Sequence, residues 1–164
     1  KRKKKDYFYV FHTTKELKDV VNSYLLREKL SNCEIISEEN IKLEVLSKSS
    51  FAIAKSGTIS IEICNAKIPS LIIYKVSSLN YFIAKLFVKV NFANIFNIIA
   101  KAEIIPELLQ SKCNENEIFN IFDKYISNPD LGNSQITSCT KILESMKLEK
   151  SSSEKVANIL LNEL

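Results

Sequence analysis

Ser56, Gly57, Thr58 and Glu62 combine residue types and a spacing that suit phosphate and sugar chemistry. The tripeptide stands between the apolar run Phe51–Ala54 and a segment of helical periodicity that starts at Thr58. Gly57 lets the backbone approach a ligand closely. A helix beginning at Thr58 aims unpaired N–H groups and its positive dipole end at whatever lies above the turn. A diphosphate suits that position. Glu62 follows Thr58 by four residues and so lies one helical turn below it, on the same side. A carboxylate there can accept two hydrogen bonds from ribose hydroxyls while the helix start holds the phosphates. The plainer readings are a capped turn before an ordinary helix and a solvated Glu. Ala66, at i+4, offers Glu62 no ionic partner.

These residues need a frame. Tyr7–His12 is aromatic and β-branched and reads as a strand, followed by a helix over Lys15–Lys29 with Leu17, Val20, Val21, Tyr24 and Leu25 on one face. Glu34–Ser37 reads as a second strand. Glu38–Ser47 reads as a helix with Ile41, Val45 and Leu46 inward. Phe51–Ala54 is a third strand, Thr58–Ala66 a helix, and Ser70–Lys75 a fourth strand after Pro69. Leu79–Val90 reads as an amphipathic helix and Val90–Ile95 as a last short strand. Ile104–Ser111, Glu115–Ser127, Ser134–Leu148 and Ser152–Leu164 read as helices, with loop signals at Asn128-Pro129-Asp130 and Leu131-Gly132-Asn133. Strands that alternate with helices, apolar without strict alternation, imply a parallel sheet covered on both faces. The expected class is α/β and Rossmann-like, with a helical C-terminal tail from about residue 112.

Composition bounds the function. The chain has 164 residues, 46% hydrophobic and 26% charged, enough for one domain with its own core. Five of its 23 basic residues are the opening Lys-Arg-Lys-Lys-Lys, and the other 18 face 19 acidic residues. Global attraction to nucleic acid is therefore not expected. The basic opening is read as a solvated helix end in preference to a membrane or nucleic-acid patch. Four scattered Cys and one His give no zinc spacing, and no Asp-x-Asp pair is present, so no metal or other cofactor is expected. No apolar run reaches the roughly 18–20 residues that span a bilayer. The chain opens on Lys and carries no signal-peptide pattern, which suggests a piece of a longer protein.

Other residues have two readings each. His12, at the end of the first strand, is a candidate contact for a base or phosphate, against a plain structural His. Lys75 is a candidate phosphate contact, against an ordinary strand-end charge. The Tyr81–Phe92 segment, with Lys85 and Lys89, suits a membrane surface or core packing with snorkelling lysines.

Four segments carry a resemblance: SGTISIE from Ser56, IPSLIIYKV from Ile68, YFIAKLFVKV from Tyr81 and NIIAKAEIIPELLQ from Asn97. Together they resemble the C-terminal half of lipid-A-disaccharide synthases, bacterial glycosyltransferases of the GT-B type. The resemblance runs from about Phe51 to Gln110. It implies a single donor-binding domain over residues 1–164, with the N-terminal acceptor domain and its acidic general base lying elsewhere, so no catalytic residue is expected in this chain. It implies UDP-2,3-diacylglucosamine as donor and 2,3-diacylglucosamine 1-phosphate as acceptor. Ser56, Gly57 and Thr58 would hold the diphosphate, Glu62 the ribose, and Asn97 would be a polar donor contact in the cleft. Glu103 and Gln110 match as well, Glu103 as a further candidate at the cleft. The implied setting is cytoplasmic, peripheral on the inner face of the bacterial inner membrane, with a homo-oligomer as a candidate state.

The family commonly reads S-L-P-N-L-L-A-G-R-E where this chain reads N-I-F-N-I-I-A-K-A-E. Asn94 and Phe96 thus replace Ser and Pro, and Lys101 and Ala102 replace Gly and Arg. Lys55 replaces a small residue beside the turn, directed toward the diphosphate or toward solvent. Two alternatives stay open: an inactive remnant that only binds nucleotide, and another GT-B enzyme acting on a UDP-sugar.

Overall fold

The computed structural model describes residues 7–77 and 92–146. They belong to two compact units, one running to Ser50 and one from Phe51. The basic opening, the expected helices Leu79–Val90 and Ser152–Leu164, and the Tyr81–Lys89 residues lie outside the described residues.

In the first unit, β1 (Tyr9–His12) and β2 (Cys33–Ile36) pair in parallel, with Tyr9 beside Cys33 and His12 beside Ile36. Parallel strands need a crossover. A 3-10 turn at Lys15–Leu17 and helix α1 (Lys18–Arg27) supply it, and α2 (Glu39–Lys48) follows β2. The helix faces differ from expectation. Val21 and Leu25 are half-buried, but Leu17, Val20 and Tyr24 are exposed, with the Arg27 guanidinium 4.7 Å from the centre of the Tyr24 ring. A two-stranded sheet is narrow and covers only a stripe of the helix. In α2, Ile41 is exposed while Lys42 is buried, its ammonium paired with Glu39.

In the second unit, β3 (Ala52–Lys55), β4 (Ser70–Tyr74) and β5 (Glu107–Leu109) form a parallel sheet in the order β3-β4-β5. Helices α3 (Ile59–Asn65), α4 (Ile95–Ala100), α5 (Glu115–Ser127) and α6 (Pro129–Met146) flank it. The α/β class holds, as two small parallel sheets rather than one. Central β4 buries Leu71 and Ile72 completely, as expected of a strand covered on both sides. Ile72 joins Cys64 of α3, Phe96 of α4, Ile105 and Cys139 of α6 in the core. Phe51 meets the rings of Phe122 and Tyr125 edge-on, at 5.5 and 5.6 Å between centres.

Three expectations are corrected. Ile104–Ser111 is not a helix but β5 followed by a 3-10 turn at Gln110–Lys112. Pro106 lacks an N–H and biases Ile105 toward extended backbone, and its carbonyl accepts the Ile72 amide at 2.9 Å to open the ladder. Phe92–Asn94 is not strand; Asn94 caps α4, its Oδ1 accepting the Phe96 amide at 3.0 Å. Gly132 lies inside α6, not in a loop, and Pro129 takes the first helical position. A Cβ at Gly132 would stand 3.2 Å from Cγ of Pro69, so this glycine serves close packing.

Gln135 ties α6 to the sheet. Its Oε1 accepts the Ser70 amide at 2.6 Å, and its Nε2 donates to the Ser70 carbonyl at 3.0 Å and to the Tyr125 hydroxyl at 3.2 Å. Gln135→Ala leaves both Ser70 backbone groups buried without partners and should lower unfolding free energy by about 3 kcal/mol, read from urea denaturation. The thiols give a second test. Cys64 and Cys139 meet in the core, where the neighbouring thiol and burial push Cys139 well above the usual thiol range. Cys33 and Cys113 are only half-buried. Ellman's reagent at pH 8 should therefore label Cys33 and Cys113 first, and Cys139 only on unfolding.

Candidate functional site

Because the strands of the second unit are parallel, their carboxyl ends share one edge of the sheet. Ser56 follows β3, Lys75 follows β4, and Gln110 follows β5. Such an edge is where open α/β sheets receive ligands.

The Ser56-Gly57-Thr58 turn leads directly into α3. Gly57 has φ of +157°, at the border of the region that side chains disfavour, and a Cβ there would meet no described residue within 4 Å. Glycine is thus favoured by conformation, and no described residue crowds the turn at that point. Thr58 is exposed and makes no side-chain cap, which leaves its hydroxyl to the turn's surroundings. Glu62 is half-buried one turn along the helix. Lys55 places its ammonium 5.4 Å from the centre of the Tyr74 ring, a cation–π contact between the ends of β3 and β4.

The hydroxyl of Ser56 donates to the Ala93 carbonyl at 2.5 Å. Residues 93 and 94 are held from the other side by Glu107. Its Oε2 accepts the Ala93 amide at 2.7 Å, and its Oε1 accepts the Asn94 amide at 2.9 Å. Asn97 completes the group. Its Nδ2 donates to Glu107 Oε1 and to the Ile105 carbonyl, both at 2.7 Å, while its Oδ1 accepts the amides of Ile104 and Ile105 at 2.8 and 2.9 Å. Asn97, expected at the cleft, is fully buried with both ends of its amide occupied. Glu103 is exposed and accepts the Glu107 amide at 3.3 Å. Gln110, with φ of +52°, accepts the Val76 amide at 3.1 Å and so steadies the chain leaving β4. Among the described residues, the buried amide nitrogens of Asn94 and Gln110 have no partner, and both stand in the loops of this edge. Lys75 is exposed just past β4. His12 belongs to the first unit, where its Nε2 lies 3.7 Å from a Glu39 carboxylate oxygen.

The sheet edge thus gathers Ser56–Thr58, Ala93–Asn94, Val76 and Gln110. Glu107 and Asn94 were given no role by the sequence. The available signal was a carboxylate inside the apolar run Ile104–Leu109. A cavity of about 500 Å³ beside β5 is bordered by Glu103, Glu107, Lys112, Glu117, Lys124 and Tyr125, and does not include the Ser56–Thr58 turn. No cluster of three His, Cys, Asp or Glu suited to a metal occurs among the described residues. No helix among them is long and apolar enough to cross a membrane.

Parallel strands joined through helices, with a Ser-Gly-Thr turn at their carboxyl edge, define an α/β protein of the Rossmann-like class. The family model for lipid-A-disaccharide synthetase matches residues 3–160, and the chain belongs to that family. It is 34% identical over 136 residues to the lipid-A-disaccharide synthase of Sulfurihydrogenibium sp. (strain YO3AOP1), covering 83% of this chain and 35% of that protein. It is 35% identical over 114 residues to the enzyme of that name from Rickettsia prowazekii (strain Madrid E), covering 70% and 30%. Lipid-A-disaccharide synthase 1 of Legionella pneumophila (strain Paris) is 34% identical over 128 residues, covering 78% and 33%. The chain spans about a third of the length of these curated relatives.

Lys101 occupies a backbone conformation that favours glycine. It ends α4 in the left-handed conformation, φ +53°, with its amide bonded to the Ile98 carbonyl and the Ala102 amide to the Asn97 carbonyl. That is a Schellman ending, where glycine is favoured. Lys101→Gly should raise the unfolding free energy by about 1 kcal/mol, measured by thermal or urea denaturation.

Proposed function

We propose that this chain is the donor-binding part of a glycosyltransferase of lipid A biosynthesis. The reaction moves 2,3-diacylglucosamine from UDP to 2,3-diacylglucosamine 1-phosphate. The observation that carries the reading is the Ser56-Gly57-Thr58 turn, which opens α3 at the carboxyl edge of a parallel sheet, with no described residue crowding Gly57. Membership of the lipid-A-disaccharide synthetase family supports it.

In the transfer, the bond from the anomeric carbon to the β-phosphate oxygen of UDP breaks, and an acceptor hydroxyl oxygen takes its place. Negative charge grows on the leaving diphosphate. The amides of the Ser56–Thr58 turn and of Ile59, the first residue of α3, stabilise that charge, while the Ser60 and Ile61 amides are taken by the Gly57 and Thr58 carbonyls. Glu62 accepts hydrogen bonds from the ribose hydroxyls. Asn97 contributes through the loop its amide holds. Lys75, exposed just past β4, lines the approach, whereas Glu103 stands before β5 and His12 belongs to the first unit. The acidic group that removes the acceptor proton, and the acceptor site itself, lie in the portion of the family protein that this chain does not span. The acyl chains of both proposed substrates suit a reaction at a membrane surface, and the cytoplasmic face of the bacterial inner membrane is the proposed setting.

Calorimetric titration of this chain with UDP is the direct test. Wild type should bind, and Glu62→Ala, shown to be folded by circular dichroism, should weaken binding by about tenfold, reflecting the loss of charge-assisted hydrogen bonds. Absence of UDP binding by folded wild type, or full affinity in Glu62→Ala, would overturn the assignment.

A further inference from the structure

The Pro106–Gln110 segment carries a buried carboxylate, Glu107, that the proposed reaction does not use. Its two oxygens accept three hydrogen bonds, from the Ala93 amide, the Asn94 amide and Asn97 Nδ2, at 2.7, 2.9 and 2.7 Å. Ala93 is therefore gripped twice. Glu107 takes its N–H, and the Ser56 hydroxyl donates to its carbonyl at 2.5 Å. The Ala93 carbonyl shares its peptide unit with the Asn94 amide, which Glu107 also holds, so a short relay of hydrogen bonds runs from β5 through that unit to the first residue of the phosphate turn.

We propose that Glu107 is a positioning residue for the donor site: by holding Ala93 and Asn94, it sets the Ala93 carbonyl that orients the Ser56 hydroxyl and, with it, the Ser56–Thr58 turn. The inference rests on the donor-site reading given above. A carboxylate suits the task because it accepts with both oxygens and donates with neither. An amide of the same shape keeps one acceptor and turns an NH₂ group on one of the donors. Glu107→Gln therefore cuts part of the relay while nearly preserving volume. The plainer role is local: a carboxylate before α4 that satisfies two amides and steadies the helix start. That role would change stability, but not the turn on β3.

The two roles separate in a double-mutant cycle on this chain, with UDP affinity read by calorimetry and folding by circular dichroism. If Glu107 acts through Ser56, Glu107→Gln should lower UDP affinity at least fivefold in the wild-type background and less than twofold in Ser56→Ala. Amide nitrogen and proton shifts of Ser56, Gly57 and Thr58 should move in Glu107→Gln without ligand. Should Glu107→Gln not fold, Glu107→Asp, which keeps the charge but shortens the reach, takes its place in the same cycle. Wild-type affinity in a folded Glu107 variant, or losses that simply multiply with those of Ser56→Ala, would overturn the proposal. If wild type binds no UDP, the donor reading itself fails, and the shifts of Ser56–Thr58 decide the relay alone: unmoved shifts overturn it.

Discussion

Asn97 is the side chain on which the second unit turns. It is fully buried, and its amide reaches in two directions. The oxygen takes two consecutive backbone amides, Ile104 and Ile105, from the chain entering β5. The nitrogen gives to the Ile105 carbonyl and to Glu107. One residue of α4 thus shapes the path into the edge strand and orients the carboxylate that holds the loop before α4. In a region of low dielectric such a group is worth having only when complete, because each unpaired member costs more than a pair gains.

Gln135 does comparable work at the other end of the sheet. It bonds both backbone groups of Ser70, where β4 begins, as a neighbouring strand would. The apolar core between these two amides is small, centred on Ile72, Phe96 and Ile105. Apolar burial supplies the drive to collapse, but it is non-directional. The amides supply direction. They specify where β4 starts and how β5 is entered, and so where the loops at the carboxyl edge emerge. Three residues of β5 are enough because side chains, as much as ladder bonds, hold that strand.

Legibility from sequence followed the physics of each element. β1 to β4 stand out as short apolar runs, those of β2 to β4 bounded by Ser or Pro, and α5 matched its expected bounds, Glu115–Ser127. The stretch Ile104–Ser111 failed because apolar residues at helical spacing resemble an amphipathic turn, and a three-residue strand carries no period of its own. Gly132 was misread as a loop signal because the reason for it, the ring of Pro69, lies 63 residues away in sequence. In the first unit, Ile41, expected inward, is exposed and its neighbour Lys42 is buried, since helical periodicity does not say which flank the sheet will cover.

The sequence by itself determined the class of fold, the family and the Ser56–Thr58 turn with Glu62 one helical turn away. These are properties of neighbours along the chain: a break in periodicity, a glycine at a turn, an i,i+4 spacing. Tertiary structure alone decided the role of the side chains that converge from far apart. Asn97 carried the same motif letter whether it faced a ligand or the core, and only the pairing of β5 with β4 brought the Ile104 and Ile105 amides to its oxygen. Glu107 reaches Ala93 for the same reason. A buried polar side chain takes its partners from whatever the fold delivers, and that is not written in local spacing.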